Sequence, residues 1–172
     1  MKKNRENRLL KEFYELQVKD LMDKRSWDTP VVEKDADIAH VFSVLTGKHH
    51  VWVVDNKENM RLVGVITEHD VLSLLSPPHL PSYVFGKPDL RSLQYGVVKT
   101  AEDIMSKKPV TSSPEEKIIN VLIRMRRCQV RRVPVVDKNH TLLGEITLHH
   151  LIRKYYEASQ YYSIVENTGD RH

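Results

Sequence analysis

The sequence predicts an α/β fold in which one strand-helix-strand-strand-helix unit occurs twice. Three recurrences carry this reading. Val18-Lys19-Asp20-Leu21-Met22 returns as Ala101-Glu102-Asp103-Ile104-Met105, displaced by 83 positions. Val53-Val54-Asp55 returns as Val135-Val136-Asp137, displaced by 82, and Gly64-Val65-Ile66-Thr67 returns as Gly144-Glu145-Ile146-Thr147, displaced by 80. A near-constant displacement with one order of elements marks a duplicated folding unit. Short β-branched apolar runs alternate with helical spacings in both copies, which is the pattern of an α/β sheet protein.

The elements follow in order. Leu9, Leu10, Phe13, Leu16 and Leu21 fall at helical intervals between Glu6 and Asp23 and predict an amphipathic helix leading into the first copy. Thr29 to Val32 reads as a short strand, with Pro30 tolerated near its start. Asp35 or Asp37 caps a helix running to about Gly47, with Ile38, Val41, Phe42 and Leu45 on one face. Val51-Trp52-Val53-Val54 is a continuous apolar run, as expected of a strand buried on both faces. Asp55 to Asn59 is a turn, Leu62 to Ile66 a second buried strand, and Asp70 to Leu75 the start of a helix.

The second copy repeats this order. Pro109 to Thr111 is the short strand, and Ser113-Pro114-Glu115-Glu116 has the form of a helix start. Ile118, Ile119, Leu122, Ile123 and Met125 supply its buried stripe. Val133 to Val136 and Leu142 to Ile146 are strands, and Leu151 to about Ala158 closes the copy. The expected divisions are an N-terminal helix over 1–16, repeats over 17–76 and 99–159, an insertion over 77–98 and a tail over 160–172. Pro77, Pro78 and Pro81 forbid a helix at the start of the insertion. Its apolar content predicts ordered structure beyond that point, with a short helix near Asp89 to Gln94. The tail from Tyr161 is expected to fray.

Composition narrows the function classes. Of the 172 residues, 40% are hydrophobic and 29% charged, an ordinary balance for a globular protein. A repeat of about 60 residues buries little apolar surface alone, so the copies are expected to share a core. The single cysteine, Cys128, excludes an internal disulfide and fits a reducing compartment. With no apolar run approaching a membrane span, a cytoplasmic location without membrane insertion is expected. The net charge of +4 comes largely from the N-terminal segment and from Arg124 to Arg132. It permits an anionic ligand or nucleic acid without requiring either.

Asp-Leu-Met, a short strand and helix, Val-Val-Asp, then Gly64-Val65-Ile66-Thr67-Glu68-His69-Asp70-Val71-Leu72 together resemble a CBS domain. Two in tandem resemble a CBS pair, or Bateman module, of the stand-alone prokaryotic and archaeal type. The resemblance covers Gln17 to Ser76 and Lys99 to Ser159. It implies β-α-β-β-α units packed by their sheets with pseudo-twofold symmetry. It further implies clefts that take AMP, ADP, ATP or a related adenosyl compound, a homodimer, and regulation of a target protein. The proline-containing insertion departs from the minimal pattern.

The leading site candidate is the junction at Thr67 and Asp70. Unpaired amides and a positive local dipole there favour phosphate, while an ionised Asp70 suits a ribose diol. The resemblance assigns Thr67 and Asp70 those two jobs. Read from the residues alone, Thr67 is equally a helix cap and Asp70 a first-turn acid. The second copy keeps Thr147 but carries His150 in place of the acid, so it should hold a ribose less well or take a different group. A histidinium there could instead contact phosphate, and read plainly His150 is an exposed helix-start residue. Arg131 and Arg132 precede a strand where the first copy has His49 and His50. In nucleotide-sensing pairs that this module resembles, basic residues there reach phosphate, and Arg132 is preferred over Arg131. Val31, Val51, Val53 and Ile66 either line an adenine slot or belong to plain core.

Other classes fare less well. Neighbouring histidines such as His49 and His50 point to opposite faces of a strand, and no metal-ligand spacing accompanies them. No phosphate loop or nucleophile motif is present, so neither catalysis nor a metal or catalytic cofactor is expected. The rivals to a ligand sensor are two. One is nucleic-acid binding by the basic helix and Arg124–Arg132, and the other a structural dimerisation module with empty clefts.

Overall fold

A computed structural model describes the backbone of residues 2–23, 28–76 and 98–169, and the side chains of 8–23, 28–76 and 98–161. In chain order its elements are α1 (Lys2–Glu15), α2 (Val18–Leu21), β1 (Val31–Glu33), α3 (Ile38–Leu45), β2 (His50–Val54), β3 (Leu62–Thr67) and α4 (Glu68–Leu75). They continue with α5 (Ala101–Ile104), β4 (Ser106–Lys107), α6 (Ile118–Cys128), β5 (Arg132–Val136), β6 (Leu142–Thr147) and α7 (Leu148–Gly169). The expectations for the 77–98 insertion lie outside the described residues, apart from Val98.

The chain divides into two compact units that do not follow the sequence repeats. One comprises residues 27–109 and 138–142, the other 1–26, 110–137 and 143–172. In the first, a four-stranded sheet runs β1-β2-β3-β4. Strand β1 is parallel to β2, with Val32 opposite Val53. Strands β2 and β3 are antiparallel, with Val51 opposite Ile66 and His50 opposite Thr67. The core of this unit is Val32, Val41, Val51, Val53, Ile66 and Ala101. Every residue of β2 is buried, as its unbroken apolar run requires.

In the second unit β5 and β6 form a two-stranded sheet. Phe13, Val18, Ile118, Val121, Met125, Val133, Val135, Ile146 and Leu151 are its buried cluster. Gln17 adopts an extended conformation and separates α1 from α2, where the apolar spacing predicts one continuous helix. The Ile118 amide donates to the Leu16 carbonyl at 2.9 Å, fixing the break.

The short helix at the head of each repeat serves the other repeat's strands. After α2, the Asp23 amide donates to the Glu145 carbonyl of β6 at 2.9 Å. After α5, Ser106 pairs with Val65 of β3. A glycine makes room in each case. A Cβ on Gly64 would lie 2.5 Å from the Met105 sulfur, and one on Gly144 would strike the Asp23 carbonyl oxygen. The close approach of another backbone is what glycine permits here.

Three expectations about element limits are corrected. Pro109 to Thr111 forms no strand, and Ser112 makes only an isolated parallel bridge to Val135. The helix expected from Ser113 begins at Ile118, because Glu116 turns aside to bind Arg124 and Ser112. Helix α7 starts at Leu148 and continues past Ala158 to Gly169, with no proline in its length to stop it.

Candidate functional site

Strand β3 ends in Thr67 and passes directly into α4, so the turn presents the helix's first amides beside the strand edge. Asp70 closes this turn. Its Oδ2 accepts from the Thr67 amide at 2.7 Å and from the Thr67 hydroxyl at 2.8 Å. Its Oδ1 accepts from the Ser106 hydroxyl at 3.1 Å. The strand-to-helix junction foreseen from sequence is present, and there Asp70 accepts from Thr67. An ionised carboxylate offers about four acceptor positions, and the described residues take three. The remaining one lies on Oδ1, beside an exposed serine that can turn away. Thr67 and Asp70 are both half-buried, accessible without being loose.

His50 flanks this junction, opposite Thr67 in the ladder, and is 3% exposed. Its ring stands edge-on to Trp52, with centroids 5.0 Å apart. His49 is exposed and its Nδ1 lies 3.0 Å from Glu68 Oε1, so the two histidines do face opposite ways. Val51, Val53 and Ile66 sit in the closed core at 0% exposure, whereas Val31 on the edge strand is half-buried. Of these four apolar candidates, Val31 alone has accessible surface.

The second copy builds the same turn from different groups. The His150 amide donates to the Thr147 hydroxyl at 3.2 Å, so Thr147 caps α7. The His150 Nδ1 is buried and has no hydrogen-bond partner among the described residues. Arg132 Nη1 lies 4.0 Å from Glu145 Oε1, and Arg131 is exposed. Burial lowers the His150 pKa; Asp23 and Glu145 pull it up, and Arg153 and His149 push it down. Ser106 and Asp23 were not singled out from sequence. The signal was available, since the displacement of 83 that matches Met22 to Met105 also matches Asp23 to Ser106.

The basic segment is partly committed to structure. Arg124 donates to both Glu116 oxygens at 2.6 and 2.8 Å and to the Thr111 carbonyl at 2.9 Å. Burial would raise the Glu116 pKa, but the Arg124 and Ser112 hydrogen bonds outweigh it and hold the carboxyl below its usual range. Among the described residues no group of three His, Cys, Asp or Glu side chains could hold a metal ion. No helix among them is long and apolar enough to cross a membrane.

The duplicated α/β unit defines the class of the fold, that of a CBS pair, a family of regulatory and generally non-catalytic modules. The CBS domain family matches residues 18–77 and 101–157, and the chain belongs to that family as a tandem pair. It is 30% identical over 135 residues to a CBS domain-containing protein of Dictyostelium discoideum, covering 78% of this chain and 88% of that one. It is 27% identical over 140 residues to a homoserine O-acetyltransferase of Methanosphaera stadtmanae, covering 80% of this chain. The chain spans 24% of that enzyme's length, so the likeness is confined to one part of a longer protein.

Solved structures share the fold. CBSX2, solved in complex with AMP, superposes with a TM-score of 0.67 at 23% identity, covering 83% of this chain and 98% of that one. The CBS domain pair of protein MJ0100, in complex with 5′-methylthioadenosine and S-adenosyl-L-methionine, gives 0.60 at 24% identity, covering 83% and 97%.

Proposed function

We propose that the chain is a regulatory sensor that binds an adenosyl compound, with the Thr67/Asp70 turn as the ribose-phosphate grip. The carrying observation is the acceptor position on Asp70 Oδ1 that the described residues leave unfilled, beside a serine hydroxyl that a ligand hydroxyl can replace. One hydroxyl of a ribose takes the open position, and its neighbour displaces Ser106. The Thr67 hydroxyl and the first amides of α4 then face the 5′ substituent. The complexes of CBSX2 with AMP and of the MJ0100 pair with adenosyl ligands support this ligand class. The five compounds to compare are AMP, ADP, ATP, 5′-methylthioadenosine and S-adenosyl-L-methionine.

Signalling requires a listener, and the reading includes a homodimer that a target protein recognises. Leu72 and Leu75 on α4 are 51% and 64% exposed, and Ile152 and Tyr156 on α7 are 58% and 61% exposed. Exposed apolar side chains spaced along a helix favour association. Ligand binding can bias such an assembly only by its differential affinity for the two arrangements. Thermal-shift measurement with the five compounds tests the sensor. A rise in Tm with at least one, growing with concentration, is the expected result. No shift at millimolar ligand favours a structural module.

A further inference from the structure

Two turns at matching strand-to-helix junctions carry inverted chemistry. In the first copy the acid stands on the helix and a hydroxyl on the crossing segment, Asp70 with Ser106 at 3.1 Å. In the second copy the helix carries His150, and the crossing segment carries Asp23. The backbone frames match: Ser106 pairs with Val65 of β3, and Asp23 pairs with Glu145 of β6. Asp23 therefore occupies the place from which Ser106 reaches the helix residue. The strand position between them changes too, from Val65 to Glu145.

His150 has an unmet need in this setting. Its buried Nδ1 finds no hydrogen-bond partner among the described residues. A neutral ring carrying its proton on Nε2 presents a bare acceptor at Nδ1. Adding a proton reverses the role of Nδ1 from acceptor to donor. The charged groups acting on the ring are Asp23 after α2, Glu145 on β6, and His149 and Arg153 on α7. Arg132 on β5 lies beside Glu145.

We propose that His150 and Asp23 form a proton-operated latch in the second copy, open when the imidazole is neutral. On protonation, Nδ1–H donates to the Asp23 carboxylate and ties the start of α7 to the segment after α2. No covalent change is involved, and the proton comes from solvent. The latch gives the second copy a response to pH at the place where the first copy carries Asp70 and Ser106. It rests on the geometry of the second copy and does not require that the first copy bind an adenosyl compound.

Histidine NMR titration of the ligand-free protein tests it, following the His150 ring and the backbone amides of Val18–Asp23. In the wild type, those amides should shift with the same midpoint as the His150 ring. Asp23→Asn should lower the ring midpoint several-fold in proton affinity, and His150→Gln should abolish the linked amide shifts. An unchanged ring midpoint in Asp23→Asn, or amide shifts surviving in His150→Gln, would overturn the latch. Should Asp23→Asn fold poorly, Asp23→Ser places the first copy's residue there and carries the same expectation. Absence of adenosyl binding would end the sensor reading and leave this test standing.

Discussion

Thr67 and Asp70 are joined twice through one oxygen, since the Thr67 amide and hydroxyl both donate to Asp70 Oδ2 at 2.7 and 2.8 Å. The same box recurs at Thr100 and Asp103, where the amide and hydroxyl lie 2.9 and 3.2 Å from Asp103 Oδ2. Capping alone thus cannot distinguish the two aspartates. Asp70→Ala and Asp103→Ala should each cost about 1 kcal/mol of stability. Only Asp70→Ala should also lose adenosyl affinity. Urea melts beside calorimetry separate the effects, and equal loss of affinity in both variants would make Asp70 merely structural.

Gly144 is held against the backbone of the crossing segment, whereas Gly64 faces a flexible methionine. Gly144→Ala should destabilise by more than the ~1–3 kcal/mol typical of overpacking, because the Asp23 carbonyl cannot move without breaking its bridge. Gly64→Ala should fall at or below that range, with Met105 yielding. A chemical melt in which Gly144→Ala is the milder variant would contradict the exchange of segments described above.

The repeat, the first copy's order of strands and helices, and the turn at Thr67 and Asp70 were legible because each is written in local pattern. Displacement, β-branched runs and a capping spacing all act within a few residues. The exchange of α2 and α5 was not legible, because a four-residue helix carries no signal of which strand it will flank. Glu116 misled for a related reason. Its acid-rich turn favours a helix start locally, but Arg124, eight residues on, draws it into a nonlocal bond at 2.6 Å.

That Glu116–Arg124 pair predicts an acid dependence. The carboxyl is held below its usual range in the fold, so its contribution is complete above the unfolded value and lost as pH falls through the folded one. Glu116→Gln should cost roughly 1–3 kcal/mol at pH 7, as for hydrogen bonds to charged groups. The gap between variant and wild type should narrow as urea midpoints are measured down to pH 3. A constant gap would show that packing, not charge, sets the cost.

At His150 burial outweighs the pull of Asp23 and Glu145 toward the charged form. Its folded pKa is lowered, so the unfolded chain binds the proton more readily. Stability should be complete above the unfolded value of about 6.5 and fall as pH drops from there toward the folded value. His150→Gln should flatten that slope. If wild type and variant lose stability in parallel between pH 7 and 5, another group governs the region.

Exposed Leu75 and Ile152 supply a test of association. Leu75→Asp or Ile152→Asp should shift a dimer toward monomer in light scattering, while thermal stability at high dilution changes little. Monomer in the wild type at every concentration would remove the dimer from the reading.

The most direct measurement pairs the Asp70 carboxylate with the ribose hydroxyls themselves. Calorimetry would compare AMP with its 2′,3′-dideoxy analogue on wild type and on Asp70→Ala. Wild type should lose about tenfold or more in affinity for the analogue, the worth of a hydrogen bond to a charged group. Asp70→Ala should bind both weakly and no longer tell them apart. Equal binding of AMP and analogue by the wild type, or discrimination that survives in Asp70→Ala, would contradict the grip.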